Sequence, residues 1–114
     1  MNLELFRSYC LAKKNAIEDF PFGEDVMVFK VAGKIFALCG IDPFESVNLK
    51  CDPELALELR EAHEAVRPGY HMNKKHWNTV LIDGSIADKL ILSWIDHSYD
   101  LVAPKSSKTI KSIK

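Results

Sequence analysis

The segment PGYHMNKKHWNTV, residues 68–80, holds the densest group of side chains that could do chemistry. It contains two histidines, two lysines, a tyrosine and a tryptophan within thirteen positions. Histidine is a common metal ligand and general base, whereas lysine is a common contact for phosphate groups. The hypotheses to compare are therefore a metal site, a catalytic site, a phosphate-binding surface and an ordinary β-hairpin.

The sequence gives little support for a metal site or for catalysis. His71 and His76 lie five residues apart, and no HExxH or paired-cysteine motif occurs. A zinc site would need the fold to bring these histidines together with Cys51 and His63. No nucleophile elbow, P-loop or glycine-rich dinucleotide motif is found either. We expect no enzymatic activity, no metal and no cofactor; a ligand pocket using Tyr70, His71 and His76 is the weaker alternative.

Composition places the chain among globular proteins of average polarity. It has 114 residues, 47% of them hydrophobic, and a net charge of −1, which by itself gives no reason to expect nucleic acid. Residues 1–64 carry 12 acidic and 7 basic side chains, whereas residues 65–114 carry 4 and 8. We expect folding to mix the two halves, with a bipolar surface as the alternative.

Cysteine usage indicates a reducing compartment, and hydropathy gives no sign of a membrane-spanning segment. The three cysteines form no CxxC pair and leave an odd count, which favours buried thiols over a disulfide. No apolar run approaches the roughly 20 residues that span a bilayer, and polar residues interrupt the start of the chain. We therefore expect a cytoplasmic protein that does not enter the membrane.

The elements that must position these side chains follow from hydrophobic periodicity and turn residues. Apolar spacing of three to four predicts a helix over residues 2–15, with Ile17 continuing its stripe. Residues 19–25 form a loop, and residues 25–41 read as two strands joined by a turn at Ala32 and Gly33. A third strand covers residues 46–51.

The second half of the chain is predicted to contain two more helices and two more strands. Asp52 as an N-cap and Pro53 in the first turn predict the start of the second helix. Strands are predicted over 66–72 and 77–83, and a third helix begins with a capping box at Ser85. The result is an α+β two-layer sandwich, α-β(3)-α-β(2)-α, with one antiparallel five-stranded sheet. We expect a single domain over residues 1–103 and a basic, flexible tail over 104–114.

Lysines near the predicted hairpin turns are the remaining functional signal. They flank the first turn, end the third strand and form the tip of the second hairpin: Lys30, Lys34, Lys50, Lys74 and Lys75. Two hairpins bearing lysines could straddle a phosphate backbone, although lysines at sheet edges also prevent aggregation. Trp77 is expected to be a buried anchor, with a base-stacking ring as the alternative.

Four separated blocks resemble one known family. They are DVMVFKVAGKIFAL, VNLKCDPELALELRE, VRPGYHMNKKHWNTVLID and LILSWIDHSYDLV, and together they are similar to the MmcQ/YjbR family of small bacterial proteins. The resemblance extends from the first helix to about Val102. It implies an α+β fold in the element order given above, and a DNA-binding role through a double-wing motif.

The resemblance implies that the two hairpins around Gly33 and Asn73 are the wings. Their phosphate contacts would be the five lysines, with Trp77 beside them. The leading hypothesis is thus a monomeric, non-enzymatic DNA-binding protein of low sequence specificity. The alternative is a protein-interaction or chaperone-like module that uses the sheet face or the acidic second helix.

Overall fold

A computed structural model describes residues 1–70 and 72–104 of the chain. Three helices and six strands make up the fold. In chain order they are α1 (Leu3–Leu11), β1 (Ile17–Asp19), β2 (Val26–Val31), β3 (Lys34–Gly40), β4 (Ser46–Lys50), α2 (Pro53–Ala62), β5 (Val66–Pro68), β6 (Trp77–Leu81) and α3 (Asp88–Val102).

The strands form one sheet in the order β1-β2-β3-β4-β6-β5, and every neighbouring pair is antiparallel. Alternation along each strand sends one set of side chains toward the helices and the other toward the opposite, open face. Met27, Phe29 and Val31 of β2 lie in the main core with residues from the helices. The predicted α+β two-layer architecture is therefore confirmed.

The sheet has six strands instead of the predicted five, because the sequence analysis did not predict the short edge strand β1. The predicted first helix over residues 2–15 ends at Leu11, and Ile17 lies in β1 instead of on a helical stripe. Asn15 has a φ of 62°, a left-handed conformation that an α-helix does not accommodate. The chain therefore turns at this point, and Ile17 pairs with Lys30.

Aromatic rings fill the centre of the core between helices and sheet. Phe6 of α1 meets Phe29 edge to face at 5.6 Å, and Phe36 meets Tyr99 of α3 in the same way at 5.4 Å. A bulge in β3 makes this possible, because Phe29 pairs with Ala37 and Lys30 with Ile35, which leaves Phe36 as the extra residue. Both Phe36 and Ala37 thus lie in the core.

Other predicted boundaries also differ from the structure. The strand expected over 66–72 ends at Pro68, and the Tyr70 backbone then donates to the Thr79 hydroxyl instead of to a carbonyl of β6. The third helix begins at Asp88, not at Ser85. Ser85 donates from its backbone and its hydroxyl to Asp83, at 2.9 and 2.6 Å, and so forms a turn before the helix.

Within the described residues, none of the helices has the length and apolar character that crossing a membrane requires. The tail predicted over 104–114 lies outside the described residues from position 105 onward.

Candidate nucleic-acid interface

The register of the strands brings the five predicted lysines to one end of the sheet. The turn between β2 and β3 is at this end, so Lys30 and Lys34 lie close to it. Lys50 ends β4 and pairs with Trp77, the first residue of β6. Lys74 and Lys75 precede that tryptophan in the loop from β5. We call this end of the sheet the lysine end.

The β2–β3 turn has the geometry of a tight hairpin. Ala32 and Gly33 both have positive φ, 52° and 78°, as a two-residue turn of type I′ requires. The turn therefore holds Lys34 at an exposed position at the tip.

The lysines differ in their surroundings. Lys34 and Lys75 are exposed, and neither forms an ion pair with another described residue. Lys30 is half-buried and pairs with Asp19 at 2.9 Å. Lys74 donates from Nζ to the carbonyl of Gly69 at 3.2 Å. Lys34 and Lys75 are thus the two most available cations of the predicted set.

Lys50 and Trp77 form a pair on the open face. Lys50 is half-buried, and its Nζ lies 5.7 Å from the centroid of the Trp77 ring. Trp77 itself is only 7% exposed and packs with Val28 and Leu38. Trp77 is therefore largely buried, as the anchor interpretation expects, and little of its surface is accessible for stacking on a base.

Arg60 of α2 holds the loop that carries Lys74 and Lys75. Its guanidinium donates from Nε to Asn78 Oδ1 at 2.7 Å, and from Nη2 to the carbonyls of Lys74 and Trp77. The Asn73 side chain then accepts from the backbone of Lys75 at 2.8 Å, which closes the turn. The loop is thus tied to α2 as well as to its own strand.

The end of α3 fixes the other lysine-bearing strand. Ser98 is buried and its hydroxyl lies 2.5 Å from the carbonyl of Lys50. His97 Nε2 accepts from the backbone of Asp52 at 3.1 Å, and Cys51 donates from its backbone to the carbonyl of His76 at 2.8 Å. These bonds connect α3, β4 and β6 directly beneath the lysine end.

Lys14 belongs to the same end of the sheet but was not predicted. It is exposed and lies in the turn that leads into β1, whose first residue pairs with Lys30. The hydroxyl of Tyr99 donates to the Lys14 carbonyl at 2.5 Å and so holds this turn against α3. No signal for Lys14 was visible in the sequence, because the position was read as helical.

Folding mixes the two halves of the chain, as expected, but separates the charges by end. The loops at the opposite end of the sheet, here called the acidic end, carry exposed carboxylates from both halves: Glu24, Asp25, Asp42, Glu45 and Asp83. The lysine end is not purely basic, since Glu54 lies in the first turn of α2 and borders the same depression as Lys74 and Lys75. The distribution is nevertheless strongly uneven.

The open face of the sheet has a second feature, a cleft of about 410 Å³. Two aromatic residues from different loops line it, Phe22, which is 63% exposed, and Tyr70, which is 71% exposed. Val26, Leu38 and Gly40 contribute to the apolar floor. We call this the open-face cleft; it lies toward the acidic end, because Val26 and Gly40 pair at that end of the β2–β3 hairpin.

Histidines and cysteines do not converge on a site among the described residues. No group of three histidine, cysteine or acidic side chains in that part of the chain could hold a metal ion. The His63 ring packs against Trp94 at 5.4 Å, and His71 lies outside the described residues. Cys51 is buried, and its burial followed by the charge of Asp52 raises the pKa of the thiol to about 11. That thiol is therefore protonated at neutral pH.

Comparisons with known proteins agree on one family. The family model named YjbR matches residues 11–101. The protein YbdF of Escherichia coli O157:H7 is 41% identical over 93 residues, 78% of this chain and 74% of its own length. YjbR of Escherichia coli K12 is 38% identical over 100 residues, 87% of this chain and 85% of its own. Both relatives are described as uncharacterized proteins.

A solved structure shares the fold along almost the whole chain. The crystal structure of Deinococcus radiodurans protein DR2400, with the family-model domain DUF419, superposes with a TM-score of 0.84 at 40% identity. The match covers 92% of this chain and 80% of that one. On the family model, the relatives and the shared fold together, the chain belongs to the YjbR family.

Proposed function

We propose that the protein is a non-enzymatic DNA-binding module that contacts the phosphate backbone through its lysine end. The observation that supports this proposal is the strand register, which brings five lysines from three separate segments of the chain to one end of the sheet. The resemblance of the hairpins to a double-wing motif points in the same direction.

The lysine end has a suitable width for a duplex. From β3, which begins at Lys34, to β6 the sheet crosses two strand spacings of about 4.8 Å, roughly 10 Å in total. A duplex rises about 3.4 Å per base pair, so this width corresponds to about three base pairs. Lys34 and Lys75 would make the outer phosphate contacts, with Lys50 between them.

Such contacts predict weak sequence preference and strong salt dependence. Lysines at these positions meet phosphates, which carry no sequence information. With three phosphate contacts the slope of log K against log salt is about −2.7, so raising salt from 50 to 200 mM weakens binding about fortyfold. Glu54 opposes binding, and Glu54→Gln should therefore strengthen it.

Fluorescence anisotropy with a labelled duplex of about 16 base pairs tests the proposal at both salt concentrations. We expect Lys34→Ala/Lys75→Ala to reduce the salt slope by about 1.8. Lys89→Ala is the matched control, because Lys89 is exposed in the first turn of α3 at the acidic end. Absence of binding at low salt, or an equal effect of the control, would contradict the proposal.

A second candidate function is supported by the open-face cleft. A contiguous exposed apolar patch is typical of a protein-interaction site, and here Phe22 and Tyr70 border a cleft with an apolar floor. A protein-interaction module predicts a partner that remains bound at high salt and a protein that does not respond to DNA. The same anisotropy titration therefore separates the two candidates.

A further inference from the structure

We infer that the open-face cleft binds a short basic peptide segment of a partner protein, with one apolar side chain as its anchor. This inference gives a chemical identity to the partner in the second candidate function, and it does not depend on DNA binding. Three features of the described residues support it: the shape and apolar floor of the cleft, a hydrogen-bond donor in it, and the charge around it.

The cleft has the size and the walls of a side-chain pocket. Its volume of about 410 Å³ lies within the range of roughly 300–1,000 Å³ that is usual for ligand sites. Phe22 lies in the β1–β2 loop and Tyr70 in the loop after β5, so two separate segments of the chain contribute an aromatic residue to its lining. Gly40 leaves the floor open, since it has no side chain.

A polar group lies in the floor, in a defined orientation. The Thr79 hydroxyl accepts from the backbone of Tyr70 at 3.0 Å and donates to Asn48 Oδ1 at 2.6 Å. With its oxygen held in this way, the Asn48 amide lines the cleft in a defined orientation. Its nitrogen can then donate to a backbone carbonyl of a bound peptide.

The cleft continues into a second depression of about 300 Å³. The two depressions share Asn48 and Tyr70, and the second is also lined by Pro68, Thr79 and Leu81. A bound segment thus has room on both sides of the Tyr70 ring. Extended peptides rise about 3.3 Å per residue, so a few residues are enough to occupy both depressions.

Charge selects a basic partner and disfavours nucleic acid at this site. Glu24 and Asp25 follow Phe22 after one intervening glycine, and Asp42 and Glu45 lie in the loop after Gly40. All four are exposed, and none forms an ion pair with another described residue. Arg67 lines the second depression, whereas the described residues that line the first include no charged side chain, so the apolar anchor is assigned to the first.

The probe is a seven-residue peptide with a central phenylalanine, a serine on each side and two lysines at each end. Isothermal titration measures its affinity, and backbone amide shifts map its site. We expect the largest shifts at Val26, Leu38, Gly40 and Asn48. Replacing the phenylalanine by alanine should weaken binding at least tenfold, because burial of one such ring contributes about that factor or more. Replacing the lysines by glutamates should weaken it at least fivefold.

Variants of the protein test the same site from the other side. Gly40→Leu fills the cleft: a Cβ there meets only the Pro43 carbonyl at 3.6 Å, an ordinary contact, so the fold is expected to tolerate it. Tyr70→Ala removes one exposed wall and provides a second route if Gly40→Leu fails to fold. Each of these two variants should weaken binding of the peptide at least tenfold, and Glu24→Gln/Asp25→Asn should weaken it about three- to tenfold.

Leu57→Ala is the matched control, since Leu57 is an exposed apolar residue on α2, 61% exposed and remote from the cleft. It should leave affinity unchanged. The inference is overturned if the peptide shifts map elsewhere, or if Gly40→Leu and Tyr70→Ala bind the peptide as the parent does. It is also overturned if a ten-residue oligothymidylate, or a second copy of the chain, occupies the cleft in its place. These variants retain every lysine, so the outcome is separate from the duplex titration.

Discussion

Replacing Arg60 tests how the lysine-bearing loop is held. In Arg60→Ala, Asn78 Oδ1 loses its 2.7 Å bond, and Asn78 is only 2% exposed, so water does not readily replace the guanidinium. Hydrogen bonds from a charged group contribute about 1.5–3 kcal/mol each, and a buried unsatisfied acceptor costs about 1–3 kcal/mol. Arg60 is itself half-buried, which reduces these values. We expect a net loss of about 3 kcal/mol in the free energy of unfolding.

Urea and thermal unfolding followed by circular dichroism measure this loss. An unfolding entropy of about 2.1 cal/mol/K per residue converts 3 kcal/mol into a decrease in Tm of about 12 °C for a chain of this length. Arg60→Lys retains the charge but not the planar fork, and should lose about half as much. Glu58→Ala, an exposed change on the same helix, should stay within about 0.5 kcal/mol. A loss below about 1 kcal/mol in Arg60→Ala would refute the reasoning.

Three further predictions concern stability and reactivity. Gly69→Ala should lower the free energy of unfolding in urea by about 2 kcal/mol, since the added Cβ would lie 2.7 Å from that of Trp77. Gly40→Ala should leave it unchanged, because a Cβ there meets only an ordinary contact. The hydrogen bond from Arg7 lowers the pKa of Glu18 in the folded state. The ionised Glu18 therefore stabilises the fold above the unfolded pKa of about 4.5, and this stabilisation is lost as the pH falls through the pKa of the folded state. Glu18→Gln should therefore show a smaller decrease in the urea midpoint between pH 6 and pH 3, and an equal decrease would contradict the assignment. Burial raises the pKa of all three cysteine thiols, so a thiol reagent at pH 8 should react only after unfolding, and rapid reaction of the folded protein would show that a thiol is accessible.

Local signals predicted those elements whose ends are determined by their own residues. Asp52 accepts from the backbone of Glu54 and Leu55, at 3.1 and 3.2 Å, as an N-cap does, and Pro53 starts α2. Ala32 and Gly33 form the predicted turn. In these cases the deciding interactions lie within a few residues, so a single sequence contains them.

Elements that depend on distant partners were not predictable in this way. β1 has only three residues and exists because Ile17 meets Lys30 across the sheet edge. Where β5 ends, the Tyr70 backbone donates to the hydroxyl of Thr79, nine positions later in β6. The open-face cleft requires Phe22 and Tyr70, 48 positions apart in the chain, to border the same space. None of these relations is encoded in a local pattern of residue types.

The separation of charge by end changes the meaning of the net charge of −1. The six residues of β2 extend about 20 Å along the strand, whereas the Debye length at physiological ionic strength is about 8 Å. A partner close to one end is therefore screened from the other end, and each end interacts with solution almost as a separate ion. At low ionic strength the two ends instead act as one dipole, which would turn the molecule as it approaches a charged surface.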